Sequence, residues 1–456
     1  MLDQGTPVPG PTQSTSNKRN KLGLPMATSL VVGNMIGSGV FLLPASLAVY
    51  GGISVVGWLI TATGALLLAL VFARLSSLIP KAGGPYAYSR RGFGDFAGFL
   101  VAWGYWISIW TSNAAIAVAF VSYLTVFWPA LATNGVLAAT VALLAIWSLS
   151  WVNSAGVRNA GWVQLVTTVL KLVPLLAIAT IGLLFFHVEH FRPLNLSAAS
   201  NGSAITATIA LTLWAFLGLE SATIPADDVV DPSRTIPRAT VLGTLITAIV
   251  YIIGTVAVMG IIPPAGLAVS NAPFADAARE LWGDWAGYAV GAGAAISCFG
   301  ALNGWILLQG QIPLAAARDG LFPAAFGKLS SRGTPALGIV MSSVLVTVLI
   351  SMNYSRGLVE QFNFIILLAA LNTLVAYTLS SMGELMIFIK ERSRFEGQRL
   401  TGASIVAILA FVYSVWAIAG AGKDIVYLGF LLLVAGVPVY VWITWRKGRD
   451  RAGNSL

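Results

Sequence analysis

Seven consecutive residues, Gly33-Asn34-Met35-Ile36-Gly37-Ser38-Gly39, place three glycines and two polar side chains inside an otherwise apolar run. Each glycine costs about 1 kcal/mol relative to alanine in a helix interior, so the cluster predicts an unwound segment at Gly33, Gly37 and Gly39. The half-helix that follows, Gly39 to Leu43, would begin with unpaired amides, and such amides attract an anion such as a carboxylate. Ser38 adds a hydroxyl donor. A second stretch, Leu211-Thr212-Leu213-Trp214-Ala215-Phe216-Leu217-Gly218-Leu219-Glu220-Ser221, pairs Gly218 with a carboxylate. Glu220 is the acidic residue expected to lie deepest among apolar segments, where it would take up a proton or hold an unwound segment by hydrogen bonds. Close helix packing at the glycines and a structural role for the carboxylate are the simpler alternatives.

Covalent and metal chemistry have no comparable basis. The two histidines, His187 and His190, flank Glu189 in one polar stretch, a spacing that suits a solvated loop better than a metal site. The single cysteine, Cys298, allows neither an intrachain disulfide nor a cysteine-based metal centre. No enzyme activity, metal or cofactor is expected.

The elements that must carry these residues follow from composition. Of 456 residues, 57% are hydrophobic and only 9% charged, whereas a soluble domain carries about 25% charged residues. The apolar residues form runs of the length that a helix needs to cross a bilayer, roughly 20 residues. Twelve spans are predicted, at 23–48, 53–79, 96–128, 135–154, 162–187, 205–225, 239–262, 285–312, 336–353, 359–389, 402–421 and 425–445. The fold class is therefore an all-α multi-pass membrane protein, with the two glycine-bearing stretches in spans one and six.

The net charge of +9 reports orientation rather than nucleic-acid binding. With twelve spans, 21 of the 26 lysines and arginines fall on one side, Arg192, Arg279, Arg356 and Lys423 on the other, and Lys171 within span five. The positive-inside rule then predicts both termini in the cytoplasm. Residues 1–20, polar and rich in Pro, Ser, Thr and Gln, read as a disordered tail without the features of a cleavable signal peptide. Residues 21–446 form the transport unit and 447–456 a second tail. Interrupted helices at positions one and six match if 21–187 and 205–389 are two copies in opposite orientation, with two further helices at 402–445. Such a pair points to a transporter's midplane site.

These segments resemble the amino acid, polyamine and organocation transporter superfamily, and within it the arginine/agmatine and basic amino acid/polyamine antiporters. The likeness runs from about Lys21 to Arg446. It is carried by Gly33 to Gly39 continuing through Val40-Phe41-Leu42-Leu43-Pro44, by Gly83-Gly84-Pro85-Tyr86-Ala87-Tyr88-Ser89-Arg90-Arg91, by Leu213 to Ser221, and by Asp319-Gly320-Leu321-Phe322-Pro323.

The resemblance implies a five-plus-five inverted repeat (LeuT-like) with discontinuous helices 1 and 6 and a site between spans one, three, six, eight and ten. By similarity, Ser38 and Gly39 hold the substrate carboxylate, and carbonyls near Met35, Trp214 and Leu217 take the α-ammonium. Trp214 acts as a gate, Trp305 stacks on a cationic group, Asn113 meets the side-chain end and Tyr105 is an aromatic gate residue. Leu367 stands where the arginine transporter has a serine, which widens the substrate choice. Lys171 matches a lysine of proton-coupled permeases and of some exchangers, where a buried ammonium can cycle protons with or instead of Glu220. The resulting expectation is a secondary active transporter of the inner (plasma) membrane that exchanges basic amino acids or polyamines by alternating access. Proton-coupled uptake and a non-transporting sensor on the same fold are the alternatives. Substrate, lipid, protons and a second copy of the chain are the expected partners, and nucleic acid is not.

Overall fold

The computed structural model describes residues 22–80, 83–156, 172–173, 175–224, 226, 229–397 and 400–453. Its principal helices are α1 (Leu24–Met35), α2 (Ser38–Ala48), α3 (Ile53–Leu78), α4 (Pro85–Phe93), α5 (Asp95–Leu124), α6 (Gly135–Ala155), α7 (Asn201–Leu213) and α8 (Pro232–Ile261). They continue with α9 (Pro273–Trp282), α10 (Asp284–Arg318), α11 (Ala336–Asn353), α12 (Leu358–Lys390), α13 (Thr401–Gly420), α14 (Lys423–Val434) and α15 (Gly436–Gly453). Among the described residues the only strand-like pairing is one isolated bridge, Leu22 with Val229.

Local chemistry sets many of the helix ends. Proline in the first turn, where the missing N–H has no intrahelical acceptor to lose, starts α1, α4, α8 and α9. Asn134 caps α6 by accepting from the Leu137 amide at 3.0 Å, and Gly156 ends it in the left-handed region at φ 78°.

Among the described residues, eleven segments are long and apolar enough to cross a membrane, and each overlaps one of the expected spans. The expected span at 162–187 falls partly outside the described residues, and its described end holds a shorter apolar helix, Leu175–Phe185. Lys171 also lies outside them.

α5 is the central column: it packs lengthwise against α10 and α12, and most of its side chains are buried. α3 runs against α8, and α1 against α8. α13, α14 and α15 lie outermost, with apolar side chains such as Ile405, Phe430 and Trp445 exposed. So much uncovered apolar surface requires a lipid environment. One ion pair sits deep in the bundle. Arg74 on α3 grips Glu384 on α12 with Nε at 2.5 Å and Nη2 at 2.9 Å, and reaches the Ala403 carbonyl of α13 at 3.3 Å. Glu384 is fully buried and Arg74 partly exposed, so the pair ties three helices while one partner keeps contact with solvent.

Candidate substrate site

The first break is narrower than the glycine cluster suggests. Gly33 lies within α1 and Gly39 is the second residue of α2, so the non-helical link is Ile36 and Gly37 alone. Glycine propensity is a weak force beside tertiary packing, and here both flanking glycines keep helical backbone. At the link, Gly37 N–H donates to the Met35 carbonyl at 2.9 Å. The Tyr251 hydroxyl of α8 donates to that same carbonyl. With two donors on it, the Met35 carbonyl is not the open acceptor for an ammonium that the sequence led us to expect.

α2 then begins at Ser38, and its first-turn amides have no intrahelical acceptor. Gly39 allows a close approach: a Cβ there would stand 3.0 Å from Trp214 Cδ1 and 3.3 Å from the Ala215 backbone.

The second break is longer. α7 ends at Leu213, a single 3-10 turn covers Trp214–Phe216, and Leu217 is extended at ψ 135°. Gly218 follows at φ 102°, a left-handed conformation that a side chain would strain. The Gly218 carbonyl is taken by Ser221, whose N–H donates at 2.9 Å and whose Oγ donates at 2.5 Å. Leu217 N–H donates to the Trp214 carbonyl at 3.2 Å, whereas nothing among the described residues donates to the Leu217 carbonyl.

The two breaks face each other across a cavity of about 20 Å³, on the scale of one water molecule. Asn34, Met35, Gly37, Ser38 and Gly39 form one wall, and Trp214 and Leu217 the other. Ser112 and Ile116 of α5 and Trp305 of α10 close it. Ser38 Oγ is buried here without a hydrogen-bond partner among the described residues. Trp214 in turn meets Phe362 of α12 edge to face, 6.3 Å between ring centres. This arrangement can receive a small zwitterion or cation: donors at the α2 start, an open carbonyl at Leu217 and two indole rings.

A sequence profile of the amino acid permease family matches residues 22–443. The chain is a member of the amino acid permease family. This permease is 38% identical over 451 residues to the cadaverine/lysine antiporter of Escherichia coli strain K12, covering 96% of this chain and 97% of that protein. It is 33% identical over 436 residues to the putrescine transporter PotE of Haemophilus influenzae, covering 94% of this chain and 99% of that protein. The corresponding PotE of Escherichia coli K12 is 32% identical over 428 residues. By their names these bacterial relatives are an antiporter and transporters.

Several residues expected at the permease's site stand elsewhere. Tyr105 turns its hydroxyl to Glu220 Oε1, and Tyr377 of α12 donates to Glu220 Oε2. Glu220 is fully buried, so both its oxygens are satisfied by tyrosines from two different helices. Asn113 does not line the cavity; it donates to Gln309 of α10 at 2.7 Å. Leu367 is partly buried and packs on both the main core and the outer cluster of Leu368, Leu371, Ala421 and Ile425; it does not line the cavity.

Ser112, Ile116, Asn34, Tyr377, Gln309 and Phe362 were not foreseen. Ser112 and Ile116 are four residues apart and therefore share a face of α5, a phase that could have been read once Asn113 was suspected. Tyr377 and Gln309 meet their partners only through contacts between helices far apart in the chain, which leave no local pattern.

Proposed function

We propose that the protein is a secondary active transporter that exchanges basic amino acids and polyamines of the lysine, cadaverine and putrescine class across the bacterial inner membrane. The observation that carries this reading is the buried, unpartnered Ser38 hydroxyl at the first turn of α2, facing Trp214 and Trp305 across one small cavity. An amino acid places its carboxylate at Ser38 and the α2 amides and its α-ammonium at the Leu217 carbonyl. A cationic group stacks on the Trp305 ring, an interaction of about 0.5–2 kcal/mol. A diamine has no carboxylate, so it binds through the carbonyl and the ring and leaves the α2 amides to the amino acid that replaces it.

At about 20 Å³ the cavity is far below the ~300 Å³ of small ligand pockets. Substrate entry therefore requires the two interrupted segments to part, which is the motion that alternating access supplies. In this reading spans one to five and six to ten are inverted copies within 21–446, and both termini face the cytoplasm. The names of the relatives favour lysine and diamines over arginine and agmatine as first substrates to test.

The test is uptake of radiolabelled lysine into proteoliposomes preloaded with cadaverine, compared with vesicles lacking internal substrate under an inward proton gradient. Uptake that requires internal cadaverine supports exchange. Uptake that needs only the proton gradient replaces exchange with proton symport, and lysine binding without uptake in either case replaces transport with sensing.

A further inference from the structure

Asn113 and Gln309 form a buried amide pair whose polarity is dictated from one end. Gln309 Nε2 donates to the Ile339 carbonyl at 3.1 Å and to Ser343 Oγ at 2.9 Å, both on α11. Its Oε1 accepts from Asn113 Nδ2 at 2.7 Å. A backbone carbonyl can only accept, so Ile339 requires the NH₂ of Gln309 to face it. That turns Gln309 Oε1 toward Asn113, and Asn113 must then offer its own NH₂. Flipping either amide would set two acceptors or two donors against each other. The chain of bonds ends at Asn113 Oδ1, which is buried and has no hydrogen-bond partner among the described residues. Asn113 and Gln309 are themselves fully buried.

The pair lies beside the cavity wall. Asn113 sits between Ser112 and Ile116 in sequence on α5, and Gln309 lies one helical turn beyond Trp305 on α10; those three neighbours line the cavity. A purely structural pair of amides would consume its acceptors, whereas this one leaves a carbonyl oxygen uncommitted in a dry interior.

We infer that Gln309 is a positioning residue for substrate selection: it holds Asn113 so that Oδ1 meets the distal end of the substrate, and the site therefore demands a hydrogen-bond donor there. This rests on the basic amino acid and polyamine transport proposed above, and names what distinguishes those substrates from neutral ones. The distal ammonium of lysine or a diamine supplies the donor; a methyl group in its place leaves Oδ1 bare. An uncharged oxygen also loses less on drying than a carboxylate would, so it can accept the ammonium and give it up again within a transport cycle.

The experiment compares equilibrium binding of lysine and norleucine, its analogue lacking the distal ammonium, to the purified full-length protein and to Gln309→Leu. Gln309→Met serves where the leucine variant does not fold. In the leucine or methionine variant Asn113 is released to rotate, and the preference for lysine over norleucine falls about tenfold or more while norleucine binding is kept. A leucine variant that keeps the full preference, or that weakens both ligands alike, overturns the role of Gln309 and leaves the substrate assignment standing. A wild-type protein that binds neither lysine nor cadaverine overturns the substrate assignment and this inference with it.

Discussion

Tyr377 donates its phenolic hydrogen to Glu220, joining the middle of α12 to the non-helical segment that follows α7. Tyr105 makes the matching bond from α5 to the other carboxylate oxygen. The carboxylate thus serves as a clasp between the interrupted segment and two continuous helices. Removing one donor leaves a fully buried oxygen bare, at about 1–3 kcal/mol. Tyr377→Phe should therefore lower the unfolding temperature in detergent, and it should slow exchange more than it weakens substrate binding. Equal loss of binding and exchange would mean that Tyr377 belongs to the substrate site instead.

In the proposed site Ser38 and Trp305 are the residues that would meet the substrate. Ser38→Lys places an ammonium and four methylenes in a cavity of about 20 Å³, and Trp305→Ala removes the ring on which a cation stacks. Both should abolish uptake while protein remains in the membrane. Normal uptake by either variant would remove that residue from the proposed site.

Gly39 tests the close approach of the two breaks. Its added methyl in Gly39→Ala would meet Trp214 Cδ1 at 3.0 Å and the Ala215 backbone at 3.3 Å, so the indole must shift. The expected result is reduced affinity with folding intact, seen as weaker equilibrium binding of lysine to the purified variant. Unchanged affinity would mean that Trp214 swings aside freely.

The ion pair between Arg74 and Glu384 predicts an asymmetry. Glu384 is fully buried and Arg74 partly exposed, so Arg74→Ala strands a carboxylate where water cannot reach it. Glu384→Ala leaves a guanidinium that can still turn to solvent. Breaking a buried pair costs about 3–5 kcal/mol, and Arg74→Ala should approach that figure while Glu384→Ala falls well short. Thermal unfolding of the two variants checks the order; the reverse order would contradict the burial argument.

At the end of α12, Glu391 accepts from Arg91 Nε at 2.6 Å and lies 3.3 Å from Arg394. The Arg91 hydrogen bond is the main influence that holds its carboxyl below the ordinary carboxylate range. A depressed folded-state value means that the contribution is present above the unfolded value, about 4.3, and is lost as pH falls through the folded one. Glu391→Gln should therefore unfold at a lower temperature than wild type at pH 7, and the gap should close below about pH 4. A gap that stays constant across this range would assign the effect to packing rather than charge.

The positions of both interruptions were legible because glycine and polar residues are rare inside apolar runs and costly there. Their exact extents were not. Gly33 and Gly39 stay helical, both buried in the bundle, and the chain opens at Ile36 and Gly37, where Tyr251 secures the Met35 carbonyl. Glu220 was recognisable as a deep carboxylate, but its partners Tyr105 and Tyr377 are 115 and 157 residues away in sequence.

By itself the sequence determined that the chain lives in a bilayer, where the eleven membrane-crossing segments found among the described residues run and which two of them carry a break. Those properties depend on local composition, because apolar length and glycine content act over a few turns of one helix. Only the tertiary structure decided that Ser38 has no hydrogen-bond partner among the described residues, that Glu220 is clasped by two tyrosines and that Asn113 is bonded to Gln309. Each of these rests on which polar atoms of distant helices come within hydrogen-bonding distance, and that is settled by how the helices pack.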